Sequence, residues 1–189
     1  MITKLFSFNQ FFVQFQAPNA DELTSYVMNK SENYTDFDWA QSCQVQTINC
    51  PWEETDQLIG LSVQKFSDSL RTSFSYIFHD PWINCYERGS YQEIHSHQGL
   101  DFVSVFFPQE QEDGFGQFYF YDRNSNFLTQ NWQKVFNFSE VWIPNISSGD
   151  IIFFPSTVLH GVKPHQSDKI RKTLSCNFTL SPLELPENK

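Results

Sequence analysis

A mainly β protein with helical support at its N-terminal end is what this sequence predicts, and three observations predict it. Phe supplies 21 of the 189 residues, and a core rich in Phe, Val and Ile favours a pleated surface, where flat and branched side chains pack well. From residue 80 onward, short apolar runs follow one another closely, separated by turn-forming clusters, which is the spacing of a sandwich or barrel. Before that point, one long stretch carries its apolar residues at helical rather than alternating intervals.

Taken in order, residues 1–17 contain alternating apolar positions and predict an opening strand. Asn19 and Asp21 can cap a short helix running to about residue 30, with Leu23 and Val27 on one face. Residues 31–52 read as irregular, with a strand at about 43–48. The clearest helix spans about 52–74, where Leu58, Leu61, Phe66, Leu70 and Phe74 recur at helical spacing and Glu53, Glu54 and Asp56 sit in the first turn, where the helix dipole favours them. Strands follow at 81–86, 90–97, 101–108 and 116–122. The stretch 123–139 is long for a connection in a compact domain and reads as a functional lid, in which Trp132 or Phe136 could wall a substrate pocket. Residues 141–146, 151–155, 159–164 and 171–180 complete the strands, with a turn at Ser148-Gly149-Asp150, and the chain from about 182 reads as a tail. One domain of 189 residues fits this length, with a core at about 80–180 supported by residues 1–79.

The formal net charge is −10, and the Lys and Arg residues are scattered. Phosphate binding needs a basic stripe, so the composition argues against a nucleic-acid face. Cys43, Cys50, Cys85 and Cys176 form no C-x-x-C pair, which argues against a zinc knuckle or a dithiol redox motif. No basic segment followed by an apolar run opens the chain, and no stretch approaches the roughly 18 apolar residues of a membrane span. The expectation is a cytoplasmic protein with reduced thiols, in which matches such as Asn137-Phe138-Ser139 to the glycosylation pattern are chance.

Chemistry concentrates in the histidines. His95 and His97 stand two apart in a predicted strand, so both imidazoles face one side. His160 begins a later strand. Two ligands from one strand and one from a distant strand can converge on a metal while leaving coordination positions open. Gly89 and residues 114–116 fit turns, and no phosphate loop or serine-hydrolase elbow is present. His79 reads as structural and His165 as a solvent-exposed turn residue.

The ordered set His95-Ser96-His97, Gly149-Asp150, Phe154-Pro155-Ser156, His160 and Arg171-Lys172-Thr173 resembles the 2-oxoglutarate and iron(II)-dependent oxygenases, most closely a small H-x-H branch found in bacteria and phages, over about residues 80–180. The resemblance implies a double-stranded β-helix (jelly-roll, cupin-like) core with the N-terminal helices packed on one sheet. It implies a dioxygenase, with hydroxylation as its default outcome, that uses Fe(II), 2-oxoglutarate and O2 on a small-molecule or peptidyl substrate. His95 and His160 match the iron-binding histidines. Arg171 matches the arginine that holds the distal carboxylate of 2-oxoglutarate, a task suited to a bidentate guanidinium. Thr173 lies on the same strand face and can donate to that carboxylate, and Tyr86 matches a tyrosine placed against the cosubstrate.

One departure concerns the third ligand. The usual triad carries a carboxylate where this chain has His97, so either His97 completes an all-histidine site or Asp101 reaches back across the Gln98-Gly99-Leu100 turn. Three neutral imidazoles would leave the full charge of the ion to attract a dianion. Glu93 lies on the same strand face as His95 and could orient a ligand. Two other functions fit the same β architecture: a cupin-type metal dioxygenase or isomerase, which does not need Arg171, and a non-catalytic jelly-roll binding module, which holds no transition metal. The substrate and the oligomeric state are not legible.

Overall fold

A computed structural model describes residues 11–31, 34–37, 43–123, 131, 134, 135 and 139–182. Its elements, in chain order, are β1 (Val13–Gln16), α1 (Ala20–Asn29), β2 (Tyr34–Phe37), β3 (Cys43–Asn49), α2 (Trp52–Ser69), β4 (Phe74–Phe78), β5 (Trp82–Tyr86), β6 (Tyr91–His95), β7 (Phe102–Phe107), β8 (Phe118–Tyr121), β9 (Val141–Trp142), β10 (Asp150–Pro155), β11 (Leu159–Val162) and β12 (Arg171–Pro182). The strands hydrogen-bond in the order β1-β10-β7-β12-β5-β3-β6-β11-β8-β9, with β2 added on β3 and β4 on β12. Every pairing is antiparallel. This sheet curls into the expected double-stranded β-helix, and β3 is the corner, pairing with β5 through residues 46–49 and with β6 through residues 43–44.

Strand alternation splits the interior into two apolar bodies. On β10, Ile151 and Phe153 face the helices while Ile152 and Phe154 face the barrel. On β7, Phe106 faces the helices and Val103, Val105 and Phe107 face the barrel. The period of two in a strand forces this division. α1 contributes buried Leu23 and Val27, and α2 contributes Ile59, Val63 and Phe66. Phe66 stacks on Phe153 with ring centroids 4.6 Å apart, so the helices pack on one sheet as expected.

Several boundaries differ from the sequence reading. The second helix stops at Ser69, not residue 74, because Arg71 adopts a left-handed backbone (φ 52°) and the Ser67 hydroxyl donates to the Thr72 carbonyl at 2.5 Å. Phe74 then belongs to β4, where Phe74, Tyr76 and Phe78 pack against the core on one face. The helical spacing of Phe74 was a coincidence of two periods. Leu61 points outward at 57 % exposure; Phe66 is buried as expected, Leu58 and Leu70 pack against the core, and Ile59 and Val63 complete the buried stripe. Asn19 occupies the N-cap position of α1 without capping it; its amide donates to the Leu58 carbonyl at 3.0 Å and so ties α1 to α2. The supposed irregular stretch contains β2, paired with β3, and the strand expected at 141–146 is only Val141–Trp142.

The Gly149-Asp150 pair is a structural joint. Gly149 has φ 84°, a conformation glycine adopts without strain. The Asp150 carboxylate accepts from Gln14 Nε2 (2.9 Å), Gln16 Nε2 (2.8 Å) and the Ser147 N–H (2.9 Å), which fastens β1 to the turn before β10. No disulfide joins the four cysteines, and all four are buried. Among the described residues, no helix is long and apolar enough to cross a membrane. The expected lid, with Trp132 and Phe136, the opening strand before residue 11 and the tail beyond 182 lie outside the described residues.

Candidate functional site

The six residues singled out from the sequence meet in one place. His95, His97, His160, Arg171, Thr173 and Tyr86 all line a single cavity of about 230 Å³ inside the barrel.

Sheet register brings the histidines together. β6 and β11 are antiparallel neighbours, and His160 lies directly opposite His95. His97, two residues beyond His95, is held where the chain leaves β6: its N–H donates to the Ser156 carbonyl (2.9 Å), the Ser156 N–H donates to the Asp101 carbonyl (2.9 Å), and the Ser156 hydroxyl donates to the Leu100 carbonyl. The Phe-Pro-Ser turn therefore clamps the segment 97–101. Ring centroids are 4.3 Å apart for His95 and His160, 5.4 Å for His95 and His97, and 5.2 Å for His97 and His160. One ligand nitrogen from each ring lies within 4.8 Å of the other two.

Two of the rings are oriented by the backbone. His95 Nδ1 donates to the Glu93 carbonyl at 2.8 Å and His160 Nδ1 to the Val158 carbonyl at 3.0 Å. A carbonyl accepts only, so the proton sits on Nδ1 and Nε2 carries the lone pair, the usual arrangement of a metal-binding histidine. It is the Glu93 backbone, not its exposed carboxylate, that positions His95. Burial pushes all three imidazoles below their ordinary range: His97 to about 4, with His95 nearby adding to the effect, and His160 well below. Neutral imidazole is the form that binds metal.

The opposite end of the cavity carries a buried cation. Arg171 opens β12 at 1 % exposure, opposite Tyr86 on β5. Its guanidinium lies over the Tyr86 ring at 4.8 Å and near Phe107 at 5.7 Å. None of Nε, Nη1 and Nη2 has a hydrogen-bond partner. Burial lowers its pKa, but guanidinium stays charged in proteins. An unpaired buried charge costs several kcal/mol, so this end of the cavity has the chemistry of an anion site. Tyr86 donates to Gln92 Oε1 at 2.8 Å, and its phenol is pushed up to about 12 by burial, against the pull of Arg171.

The polar wall between the two ends escaped the sequence reading. Asn84 Nδ2 donates to Thr173 Oγ1 (3.3 Å) and Ser175 Oγ (3.0 Å), while its Oδ1 accepts from Trp82 Nε1 (3.0 Å) and Gln92 Nε2 (3.4 Å). The signal was available, since Trp82 and Asn84 alternate with Tyr86 on one strand and therefore share its face.

Other expectations resolve as follows. Asp101 stands apart from the cluster; its carboxylate accepts the Leu180 N–H at 2.7 Å and its own N–H donates to the Phe178 carbonyl at 3.2 Å. His165 is not solvent-exposed but buried at 1 %: Nδ1 accepts the Gly116 N–H (3.1 Å) and Nε2 donates to the Lys169 carbonyl (2.8 Å), which pins the turn before β12. His79 is structural, with Nε2 at 2.9 Å from Thr179 Oγ1. Gly89 and Gly114 have positive φ as turns require.

Comparison with known proteins follows this geometry. The family described as "Putative 2OG-Fe(II) oxygenase" matches residues 80–177. No curated protein sequence matches the chain. Among solved structures, an oxidoreductase of the 2OG-Fe(II) oxygenase family from Burkholderia pseudomallei is similar at 15% identity and TM-score 0.65, over 89% of this chain and 84% of that one. The viral collagen prolyl hydroxylase of Paramecium Bursaria Chlorella virus-1, in complex with 2OG, shows 15% identity and TM-score 0.59 over 89% and 96%. HygX from Streptomyces hygroscopicus, with nickel and 2-oxoglutarate bound, shows 10% identity and TM-score 0.62 over 94% and 85%. At these identities the solved structures speak for the fold.

Proposed function

The chain belongs to the 2OG-Fe(II) oxygenase family, and from that membership we propose that it is a hydroxylase of a small-molecule or peptidyl substrate, with iron held by His95, His97 and His160 and the distal carboxylate of 2-oxoglutarate held by Arg171. As a family member it is an oxidoreductase that works with Fe(II) and 2-oxoglutarate. The observation that carries the residue assignment is the buried, unpaired guanidinium of Arg171 facing the same cavity as three neutral imidazoles.

The residues fit the groups they are proposed to hold. Three imidazoles supply nitrogen donors suited to Fe(II) and leave positions free for other ligands. The fork of Arg171 matches a carboxylate, and Thr173, on the same face, adds a hydroxyl beside it. Bound together with O2, Fe(II) and 2-oxoglutarate supply an oxidising equivalent through decarboxylation of the cosubstrate to succinate. What the protein contributes is placement and dryness. The Glu93 and Val158 carbonyls fix two ligand rings, the Tyr86 ring seats Arg171, and Val103, Val105, Phe118 and Val162 keep that wall of the cavity apolar. The helices α1 and α2 buttress the sheet that carries Arg171. A cupin-type metal enzyme would use the histidines equally well but leaves the Arg171 charge without a counterion.

Anaerobic titration with Fe(II) and 2-oxoglutarate tests the reading. The expected result is a weak visible charge-transfer band that saturates at one equivalent of each. No band, together with no 2-oxoglutarate binding by calorimetry, would end it.

A further inference from the structure

Resting on the reading above, we infer that Asn177 is the positioning residue of the third metal ligand: its side-chain oxygen accepts the N–H of the His97 ring and so turns the other ring nitrogen, with its lone pair, toward His95 and His160.

His97 needs such a partner because of where it sits. His95 and His160 each rest on the carbonyl two residues before them, Glu93 and Val158. His97 lies beyond the end of β6, in a segment held by its backbone bond to Ser156. A backbone bond fixes the chain and not the ring. Trp82 fixes the plane of the ring, stacking on it at 5.9 Å and 18°, and Trp82 is itself held by the bond from Nε1 to Asn84 Oδ1 (3.0 Å). Stacking still permits a half-turn about χ2, which is a broad, two-fold torsion in histidine. That half-turn exchanges a nitrogen for a carbon at the cluster, and only a contact at the ring edge forbids it.

Asn177 supplies the edge contact. It lies on β12, on the face that carries Arg171, Thr173 and Ser175, and lines the same cavity as His97. Its backbone is fixed by pairing with Val103 on β7 and by the His79 N–H, which donates to its carbonyl at 2.9 Å. Its side chain is a hydrogen-bond partner of the His97 ring, and its Oδ1 is buried with no other partner among the described residues. An amide offers either its oxygen or its NH2 group. The NH2 would engage the lone pair of the outer nitrogen and leave the proton on the nitrogen facing the cluster, where it blocks a metal. The oxygen does the reverse. It also leaves no buried acceptor unanswered and makes the ring a better donor ligand. The strand that holds Arg171 at one end of the cavity thereby holds the third ligand at the other.

The test uses the full chain with Co(II) alone, which takes the same nitrogen donors as Fe(II). The parent protein is expected to show three exchangeable, hyperfine-shifted proton signals by NMR, one from each ligand imidazole, with the His97 signal identified by its loss in His97→Gln. Fewer than three in the parent would remove the three-histidine reading and this inference with it. Asn177→Leu deletes the acceptor at similar volume. It should bind Co(II) at least about tenfold more weakly and lose or shift the His97 signal alone, with those of His95 and His160 in place. Asn177→Asp, which only accepts, should bind Co(II) at least as tightly as the parent, and this arm decides by itself if the leucine variant does not fold. The inference is overturned if Asn177→Leu binds within about threefold of the parent, if its three signals move together as a general distortion would move them, or if Asn177→Asp binds about tenfold more weakly.

Discussion

Replacing Arg171 by Met separates a ligand-binding charge from a structural one, because the two roles predict opposite changes in stability. The side chain is 1 % exposed and all three of its nitrogens lack partners. If nothing but packing required it, removing it would forfeit its stacking on Tyr86 at 4.8 Å, a cation–π contact of about 0.5–2 kcal/mol. Against that stands the cost of a buried charge with no counterion, several kcal/mol. The second effect is larger, so the metal-free, ligand-free Arg171→Met protein should be more stable than its parent by about 1–3 kcal/mol. For a chain of this length that is a rise in Tm of about 2–12 °C. Ligand binding should move the other way. Two charge-assisted hydrogen bonds of about 1.5–3 kcal/mol each disappear, which lowers 2-oxoglutarate affinity at least about a hundredfold. In the parent protein, 2-oxoglutarate at about a hundred times its Kd adds about 2.7 kcal/mol, or about 5–10 °C. In the variant that increment should vanish. Differential scanning fluorimetry under anaerobic conditions with Fe(II), with and without 2-oxoglutarate, reads both effects. A variant that keeps its 2-oxoglutarate affinity within threefold, or whose ligand-free Tm falls by more than about 5 °C, would refute the assignment of Arg171 as an anion anchor.

Two further predictions concern the histidines. His97→Ala should abolish stoichiometric metal binding, while Asp101→Ala should retain it and lose only about 1 kcal/mol of stability with the Leu180 hydrogen bond; metal analysis after dialysis reads the first and chemical denaturation the second, and the reverse pattern would move the ligand role to Asp101. For pH, the folded-state value of His97, about 4, lies below its ordinary 6.5, so the unfolded chain binds more protons between those values. Stability of the metal-free protein is therefore full above about pH 6.5 and is lost as pH falls towards 4, by roughly 3 kcal/mol from His97 alone, with His95 and His160 acting in the same direction. Comparing Tm against pH for the parent and His97→Gln removes the common carboxylate contribution, and equal slopes for the two would contradict the assignment.

The chemistry-bearing residues were legible because their signals are local. Side chains two apart on a strand share a face whatever the rest of the chain does, so Arg171 with Thr173 was readable as a pair; His95 with His97 reads the same way, although β6 ends at His95 and His97 reaches the cluster through the turn beyond it. The same rule would have added Asn84 and Trp82 to Tyr86 had it been applied to β5. Local patterns misled where two periods coincided, as at Phe74, or where polarity stood in for exposure, as at His165, whose two ring nitrogens find partners only because Gly116 and Lys169 come from separate turns.

What the sequence determined by itself was the alphabet of the site: imidazoles, one guanidinium and the alternation that points them inward. What only the tertiary structure decided was convergence. His160 faces His95 because β6 and β11 pair in one particular register, and a slip of one residue would turn His160 to the other face of the sheet. Asp101 is spent on β12 and His97 is delivered to the cluster because the 97–101 turn is clamped by Ser156, more than fifty residues away in the chain. Such choices depend on the packing of two distant segments against each other, and no window along one of them contains that information.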